Sequence, residues 1–423
     1  MKKVEQHILR REISNIKLSR AFSVGNALFL CYTFSKAVGK EFYMASLFWH
    51  LKPYDLDTTD KLFHKKMKEN MLFQYRHCPA YRQLIENMGW DEDKINHLEK
   101  TADIPFIPTL YFKHHKMDSL PEKKMLTRAT SSGTSGNKSD IGYDAGSLWR
   151  ALGMSVSIGR KHGLISFCPC RYVVLGYQAR NLLGKSKVQE KAVAKTAYAF
   201  TMLAPAISRI YALPFRNGEY TLDLEGIKKT LIKYSRGKIP VRLIGFPFHA
   251  YWLLMEMKEK GIKCPLPKGS VIAFGGGWKE YYTQKADKET MYELVEEILG
   301  IPPERCWEFF GAVEHPILYT TCKNHHFHVP IHSRVLIRDV DTFAPVANGT
   351  AGLVNLMTPM IKSAPLLSVM TDDLGILHDA CECGCGINTP YLEILGRVGM
   401  ADITTCAAGA EQLSKNIIKE GLK

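Results

Sequence analysis

The sequence predicts an α/β domain over residues 101–395, preceded by a helical region over residues 1–100 and followed by a short segment over residues 396–423. Beyond about residue 103, short β-rich runs such as YVVLGY alternate with helical patterns such as KETMYELVEEILG, and this alternation is typical of α/β folds. Residues 1–100 show periodic apolar positions and few strand signals, which indicates helices. A chain of 423 residues is long enough for one large domain with smaller additions.

The composition is that of an ordinary globular protein, with 46% hydrophobic and 23% charged residues. The net charge of +14 is compatible with a nucleic acid, an anionic membrane surface or a negatively charged small substrate. The lysines are dispersed and form no long block interleaved with aromatic residues. We therefore expect a solvated basic surface and no nucleic-acid partner.

Cysteine usage and the first residues indicate a cytoplasmic protein. The 11 cysteines are scattered and odd in number, and the start MKKVEQHILRREIS is a charged helical pattern and not a secretory signal. Residues 21–39 form the most apolar segment near the start, but polar residues interrupt it. We expect a buried helix there and no transmembrane segment, with a helix on a membrane surface as the alternative.

Residues 127–140, TRATSSGTSGNKSD, concentrate small hydroxyls and glycines beside cations. Successive backbone N–H groups in such a turn form a concave surface for phosphate oxygens, hydroxyls add donors, and a nearby cation balances the charge. The spacing excludes a Walker-type GxxxxGK loop, and a plain surface loop between strands is the competing interpretation. The candidate phosphate-binding residues are Ser131, Ser132, Gly133, Thr134, Ser135 and Gly136, with Lys138 as the cation.

Further motifs follow this loop along the chain. They are FGGGW at 274–278, FFGAVE at 309–314, TDDLG at 371–375 and a Gly-Arg pair at 396–397. In this order, the loop and the motifs resemble those of the adenylate-forming superfamily. In that superfamily the glycine turn lines the adenine, and the aromatic residue packs on the adenine. The glutamate holds magnesium, and the aspartate binds the ribose hydroxyls. The Gly-Arg pair is the hinge that follows the aspartate motif. The resemblance thus implies that ATP and Mg²⁺ bind to Gly276, Gly277, Phe310, Gly311, Glu314 and Asp373.

Short runs elsewhere narrow the resemblance. They are YFK at 111–113, LIGFPF at 243–248, GGGWK at 275–279, HVP at 328–330 and VMTDDLG at 369–375. These residues resemble the bacterial luminescence acyl-protein synthetases, the LuxE family, with the phenylacetate–CoA ligases as more distant relatives, over roughly residues 100–406. The resemblance implies the α/β fold of an adenylate-forming N-terminal domain, with a helical N-terminal region and a truncated C-terminal subdomain.

The resemblance also implies an activity on a fatty acid or another carboxylic acid. The acid's oxygen would attack the α-phosphorus of ATP, acyl-AMP would form and pyrophosphate would leave. Loop donors, magnesium on Glu314 and Lys138 would stabilise the charge on the phosphates, and Arg397 would contact the ribose or a phosphate. The competing interpretations are a helix-start carboxylate for Glu314, a turn-closing residue for Asp373 and a solvated side chain for Lys138.

The second half-reaction is expected to differ from that of most adenylating enzymes. Residues 398–423 are too few for the usual C-terminal domain of about a hundred residues. In LuxE-type proteins the acyl group passes to a cysteine near the C-terminus, and ADITTCAAG places Cys406 there. A thiolate attacks acyl-AMP readily, and the thioester suits a fatty-acyl reductase partner. The alternatives are a small buried cysteine, a CoA ligase, and a non-catalytic binding protein with this fold.

A cysteine-rich run raises the question of a metal. CECGCG at 381–386 lies downstream of Cys322 and of a histidine-rich run that includes His328. Thiolate and imidazole ligands suit tetrahedral zinc, and Cys322, His328, Cys381 and Cys383 are one candidate set for a structural site. Because the run lacks a Cys-x-x-Cys pair, free thiols in a turn are the alternative.

The acyl pocket has the weakest sequence signal. The resemblance implies that LIGFPFHAYWLL, residues 243–254, lines it. The bulk of these aromatic and aliphatic side chains suits an apolar acyl chain. They would serve equally well as ordinary core.

Overall fold

Two six-stranded sheets organise the chain in this computed structural model, which describes residues 46–130, 139–179, 192–276 and 287–397. The helices are α1 (Leu56–His77), α2 (Pro79–Asn87), α3 (Glu92–Asn96), α4 (Thr109–His114), α5 (Ala145–Lys161), α6 (Ala192–Phe200), α7 (Leu224–Ser235), α8 (Pro247–Glu259), α9 (Lys288–Leu299) and α10 (Ala380–Cys383). The strands are β1 (Ile107–Pro108), β2 (Met125–Thr130), β3 (Asp140–Asp144), β4 (Cys170–Tyr177), β5 (Ala206–Leu213), β6 (Phe215–Arg216), β7 (Glu219–Tyr220), β8 (Val241–Gly245), β9 (Val271–Gly275), β10 (Cys306–Phe310), β11 (Tyr319–Thr320), β12 (Phe327–His328), β13 (Arg334–Arg338), β14 (Ala351–Met357), β15 (Ser368–His378) and β16 (Tyr391–Arg397). The alternation of helices and strands confirms the predicted α/β class.

The first sheet has the strand order β12-β16-β15-β14-β13, and all of these neighbours are antiparallel. β1 adds to it in parallel, pairing Ile107 with Val369 at the start of β15. Further along the same strand, Asp373 of β15 pairs with Arg397 of β16. The central strand β15 therefore carries the predicted ribose-binding motif.

The second sheet has the order β11-β10-β9-β8-β4-β5, and its strands are parallel except for β11. Val173 of β4 is fully buried with helices α7, α8 and α9 on one face, and Val174 is fully buried toward α6 on the other. Burial on both faces explains why these strands read as continuous apolar runs in the sequence. Parallel strands bring their carboxyl ends to one edge, where α/β folds place ligands.

Aspartate residues are the N-caps of three of the longer helices. Asp144 accepts hydrogen bonds from two backbone N–H groups at the start of α5. Asp223 and Asp287 do the same for α7 and α9, each with one bond of 2.8 Å. Such caps satisfy donors that have no partner within the helix. Gly300, with a φ of 61°, ends α9 in the left-handed conformation.

The helices α1, α2 and α3 lie within the predicted helical region and share one hydrophobic core with the first sheet. Buried amides fasten α1 to the segment that connects β14 and β15. Asn70 Nδ2 donates to the Ile361 carbonyl at 2.7 Å, and Gln74 Nε2 donates to the Lys362 carbonyl at 3.2 Å. The described part of the helical region therefore packs as part of the larger domain.

The structure also bears on a membrane-spanning segment. None of the helices in the described ranges is long and apolar enough to cross a membrane. The longest of them, α1, has 22 residues and several charged side chains. The apolar residues 21–39 lie outside the described ranges.

Candidate active site

The predicted glycine turn and the predicted aromatic motif lie side by side at the carboxyl ends of β9 and β10. The two strands pair in parallel as far as Gly275. Gly276 follows with a φ of 84°, a conformation that favours glycine. Phe310 ends β10, and a Cβ atom at Gly311 would come within 2.9 Å of the Ile317 carbonyl oxygen. Both motifs thus border the edge of the second sheet where a ligand is expected.

Glu314 lies in the loop between β10 and β11 with only 5% of its surface exposed. The Ser139 hydroxyl donates a hydrogen bond to Glu314 Oε1. Ser139 is the first described residue after the predicted phosphate loop, so this contact brings the end of that loop to Glu314. The structure does not support the helix-start interpretation, because Glu314 is not at the start of a helix.

The surroundings of Glu314 suit a hard cation. Tyr143 of β3 donates a hydrogen bond of 3.1 Å to the carbonyl of Val313, which fixes the backbone beside Glu314. Burial raises the pKa of the Tyr143 hydroxyl, and the negative charge of Glu314 raises it further. The buried Glu314 carboxylate and the Ser139 hydroxyl, which lies at hydrogen-bond distance from it, are oxygen ligands of the kind that Mg²⁺ prefers.

Asp373 and Arg397 face each other across the β15–β16 pair. Arg397 Nε donates a hydrogen bond of 3.2 Å to Asp373 Oδ1. Burial raises the pKa of the Asp373 carboxyl, while Arg397 and Thr371 act in the opposite direction. Because Asp373 lies within a strand, the structure does not support its interpretation as a turn-closing residue.

The neighbouring carboxylate, Asp372, has a different role that the sequence pattern did not reveal. Thr109 Oγ1 donates a hydrogen bond of 3.0 Å to Asp372 Oδ1, and Lys113 Nζ lies 3.4 Å from Oδ2. Both partners belong to α4, whose YFK run contributed to the family resemblance. Asp372 therefore fastens α4 to β15, whereas the adjacent Asp373 contacts Arg397 of β16.

The two phenylalanines at the end of β10 contact different groups. The Phe310 ring lies 5.6 Å from the ring of Tyr319 and 6.0 Å from that of Phe327, measured between centroids. Phe309 stacks on Phe200 of α6 at 4.5 Å. Phe310 thus adjoins the core of the first sheet, while Phe309 faces α6.

The predicted acyl-pocket segment forms β8, the turn after it and α8. Several of its aliphatic side chains, among them Leu253 and Leu254, are buried in the core under the second sheet. Phe246 and Phe248 stack at 5.1 Å between ring centroids, close to the carboxyl end of β8. The aliphatic part therefore serves as core, and the stacked aromatic pair lies nearer the ligand edge.

The predicted zinc ligands are brought together only in part. The structure groups Cys322, His328 and Cys383 with Cys385. Cys381 is exposed and does not belong to this group. Cys381, Cys383 and Cys385 lie in one run of the sequence, and the sequence pattern could not tell which of the three turn inward.

Several predicted site residues lie outside the described ranges. They are Ser131, Ser132, Gly133, Thr134, Ser135, Gly136, Lys138, Gly277 and Cys406. Their assigned roles remain predictions. The described residues lie on or beside two strand pairs, β9–β10 of the second sheet and β15–β16 of the first; they are Gly276, Phe310, Gly311, Glu314, Asp373 and Arg397.

The fold is that of the adenylate-forming ligases. It is similar to the crystal structure of 2-hydroxyisobutyryl-CoA ligase in the postadenylation state with 2-HIB-AMP, with a TM-score of 0.61. The match covers 84% of this chain and 71% of that chain at 17% sequence identity. At this identity the likeness concerns the fold alone.

A family model described as "Acyl-protein synthetase, LuxE" matches residues 43–415. The chain therefore belongs to the LuxE acyl-protein synthetase family, and its enzyme class is ligase. It is 27% identical to the long-chain-fatty-acid–luciferin-component ligase of Vibrio harveyi, over 85% of this chain and 90% of the relative. The enzyme of the same name from Aliivibrio fischeri is also 27% identical, over 84% of this chain and 89% of the relative. The family resemblance predicted from the motifs is confirmed.

Proposed function

We propose that this chain activates a long-chain fatty acid with ATP, transfers the acyl group to its own Cys406, and delivers it to a fatty-acyl reductase. Family membership and the names of the Vibrio and Aliivibrio relatives support the acid and the ligase reaction. The observation that carries the proposal is the Ser139–Glu314 hydrogen bond, because it joins the end of the phosphate loop to the glutamate of the aromatic motif. The cysteines are scattered and their total of 11 is odd, which supports a cytoplasmic location.

Asp373 and Arg397 bind the ribose end of the nucleotide in this proposal. The Asp373 carboxylate accepts hydrogen bonds from the two ribose hydroxyls. Arg397 holds Asp373 through Nε, and its side chain is 62% exposed. Its terminal nitrogens are therefore accessible to the ribose or to a phosphate. Gly276, Gly277 and Phe310 border the adenine.

The phosphates lie against the loop of residues 131–136 and Lys138, whose donors offset the charge that develops on them. Glu314 would hold Mg²⁺, which supplies further neutralisation of the phosphate oxygens. A carboxylate oxygen of the fatty acid attacks the α-phosphorus. A new P–O bond forms, the bond from the α-phosphorus to the bridging oxygen breaks, and pyrophosphate leaves.

Cys406 acts in the second half-reaction. Its thiol gives up a proton, and the thiolate attacks the carbonyl carbon of acyl-AMP. The new C–S bond replaces the C–O bond to the phosphate, and AMP leaves. The resulting thioester keeps enough reactivity for a reductase to accept the acyl group.

Incubation with labelled fatty acid, ATP and Mg²⁺ tests the proposal. We expect label on the polypeptide that hydroxylamine releases, as it does from a thioester. Cys406→Ser should abolish this label and keep acid-dependent pyrophosphate exchange. Cys168→Ser is the matched control, because Cys168 is exposed and lies outside every motif; it should retain both. Label on the polypeptide of Cys406→Ser would contradict the transfer step.

A coenzyme A ligase is the second candidate, because the similar solved structure is a CoA ligase. In that case the acyl group would leave as acyl-CoA when coenzyme A is added, and no label would stay on the chain. A non-catalytic binding protein would show no pyrophosphate exchange with any acid. The same incubation, with and without coenzyme A, therefore separates the three functions.

A further inference from the structure

Two turns that are distant in the sequence meet at one point beside the first sheet. The turn between β11 and β12 brings Cys322, and β12 carries His328; the turn between β15 and β16 brings Cys383 and Cys385. The sulfur atoms and one ring nitrogen of these residues all lie within 4.8 Å of one another. Cys322, His328 and Cys383 are buried, and Cys385 is half-buried.

The distances in this cluster, which we call the Cys₃His cluster, fit a tetrahedral ion. Cys322 Sγ lies 3.6 Å from Cys383 Sγ, and Cys385 Sγ lies 3.2 Å from His328 Nε2. Zinc bonds of about 2.3 Å to sulfur and about 2.0 Å to nitrogen, at tetrahedral angles, separate such ligand atoms by about 3.6 to 3.8 Å. These two distances are within about 0.4 Å of the spacing that zinc requires, and no two of the four ligand atoms are more than 4.8 Å apart.

The surrounding hydrogen bonds also suit metal ligands. His328 Nδ1 lies 2.6 Å from the Thr389 carbonyl oxygen, so Nδ1 carries the proton and donates it, and the lone pair of Nε2 faces Cys385. Metal-binding histidines typically have such a partner on the second nitrogen. The backbone N–H of Asn324 donates to Cys322 Sγ, and that of Ile387 donates to Cys385 Sγ, each at 3.3 Å. These bonds stabilise sulfur that carries negative charge.

The backbone conformation of the CGCG run, residues 383–386, brings two cysteines to the cluster. Gly384 and Gly386 have φ values of 66° and 89°. A Cβ atom at Gly386 would meet no described atom within 4 Å, so the conformation and not the available space favours glycine there. The left-handed conformations of Gly384 and Gly386 bend the chain so that Cys383 and Cys385, only two residues apart, both reach the cluster.

We propose that the Cys₃His cluster binds one Zn²⁺ that fastens the two sheets together. Four protein ligands leave no open position for a substrate, so the role of the ion is structural. Each cysteine gives up its proton on binding, while the histidine binds as the neutral ring. β11 is the edge strand of the second sheet and β12 that of the first, and the cluster ties the turn between them to the β15–β16 turn. This inference does not depend on the acyl-transfer reaction.

Metal analysis of the purified full-length chain tests the inference. We expect one zinc ion per chain after prolonged dialysis. Cobalt exchanged into the site should give the intense visible bands of a tetrahedral thiolate complex. Cys383→Ser and Cys385→Ser should lose zinc and weaken these bands. Cys381→Ser is the matched control, since it lies in the same run but is exposed, and it should keep both.

Removal and return of the metal on the unmodified chain keeps the test independent of variants that fold poorly. A strong chelator should lower the thermal unfolding midpoint, and added Zn²⁺ should restore it. A full-length chain that contains no zinc and gives no cobalt thiolate bands would overturn the inference. So would full zinc occupancy in Cys385→Ser, or a disulfide between Cys322 and Cys383 under non-reducing mass spectrometry. Failure of acyl transfer would leave all these readouts unchanged.

Discussion

Ser139 donates its hydroxyl hydrogen to Glu314 Oε1 although 175 positions separate the two residues in the chain. Ser139 is fully buried, and Glu314 has 5% of its surface exposed. A buried carboxylate is costly unless its oxygens find donors or a cation. The Ser139 hydroxyl therefore supplies one such donor and places Glu314 at the end of the predicted phosphate loop, which is where the proposed adenylation needs it.

We expect Glu314→Gln to lower acid-dependent pyrophosphate exchange by on the order of a hundredfold, because the amide cannot hold Mg²⁺ as a carboxylate does. Ser139→Ala removes one hydrogen bond to a charged group and should cost about tenfold. The measurement is the exchange rate as a function of Mg²⁺ concentration. An unchanged Mg²⁺ dependence in Glu314→Gln would show that Glu314 does not hold the ion.

Asp373→Asn should weaken ATP binding about ten- to a hundredfold, since the loss of a carboxylate that accepts from the ribose costs about 1.5 to 3 kcal/mol. Isothermal titration with ATP, and with 2′,3′-dideoxy-ATP, measures the effect. The chain and the variant should differ less with the dideoxy nucleotide, because it has no hydroxyl to offer.

Asp372→Asn is the matched control for this change. Asp372 is the adjacent residue of β15 and contacts Thr109 and Lys113 of α4. We expect it to lower the free energy of unfolding by about 1 kcal/mol and to leave the affinity for ATP close to that of the unchanged chain. If both variants lost ATP affinity equally, the ribose role of Asp373 would be refuted.

The fold class and the order of the motifs could be predicted from the sequence because they depend on local patterns. The buried strands read as apolar runs, and the motifs gave Gly276 and Phe310 as candidate nucleotide-binding residues. The structure has Gly276 directly after β9 and Phe310 at the end of β10. The motif singled out Asp373 as the candidate ribose ligand, but no sequence pattern revealed what Asp372 contacts. Its hydrogen bond to Thr109 depends on the docking of β1 and α4 against β15, and this docking is a long-range contact.

The residues of the proposed metal site illustrate a second limit. The sequence predicted Cys381 as a ligand, but the structure has Cys385 in its place. Residues 380–383 form a single helical turn, α10, that leaves Cys381 exposed while Cys383 is buried. The left-handed glycines that follow then turn Cys385 inward. The glycines themselves are the sequence signal for these left-handed turns, but which cysteine the turns bring inward depends on the packed environment.

Gly245→Ala should lower the free energy of unfolding by about 3 kcal/mol or more. Gly245 ends β8 with a φ of 149°, and a Cβ atom there would overlap the Leu175 carbonyl of the neighbouring strand. Gly163→Ala is the control: its φ is 65°, and no described atom lies within 4 Å of its Cβ position. It should cost about 1 kcal/mol, from backbone strain alone. Urea unfolding measures both, and equal losses would contradict the overlap.

His332 makes the stability of the fold sensitive to acid. It is fully buried, its ring stacks on Phe48 at 5.5 Å, and neither ring nitrogen has a hydrogen-bond partner among the described residues. Burial lowers the pKa of His332 to about 3 from an ordinary value of 6.5. The unfolded chain therefore takes up a proton near pH 6.5 that the folded chain does not bind until about pH 3. This difference in proton uptake does not reduce the free energy of unfolding above pH 6.5. As the pH falls from 6.5 towards 3, the free energy of unfolding decreases by about 1.4 kcal/mol per pH unit.

His332→Leu should remove this proton uptake, so that the free energy of unfolding falls less steeply between about pH 6 and pH 4. The variant should also be at least as stable as the unchanged chain at pH 5, because it buries no unpaired polar atoms. Urea unfolding at a series of pH values gives the slope. His97→Gln, at a side chain that is 76% exposed, should leave the slope as it is. His315 and His162, whose pKa values burial also lowers to about 3 and about 4 respectively, contribute to the slope that remains. An unaltered slope in His332→Leu would mean that His332 is already protonated in the fold.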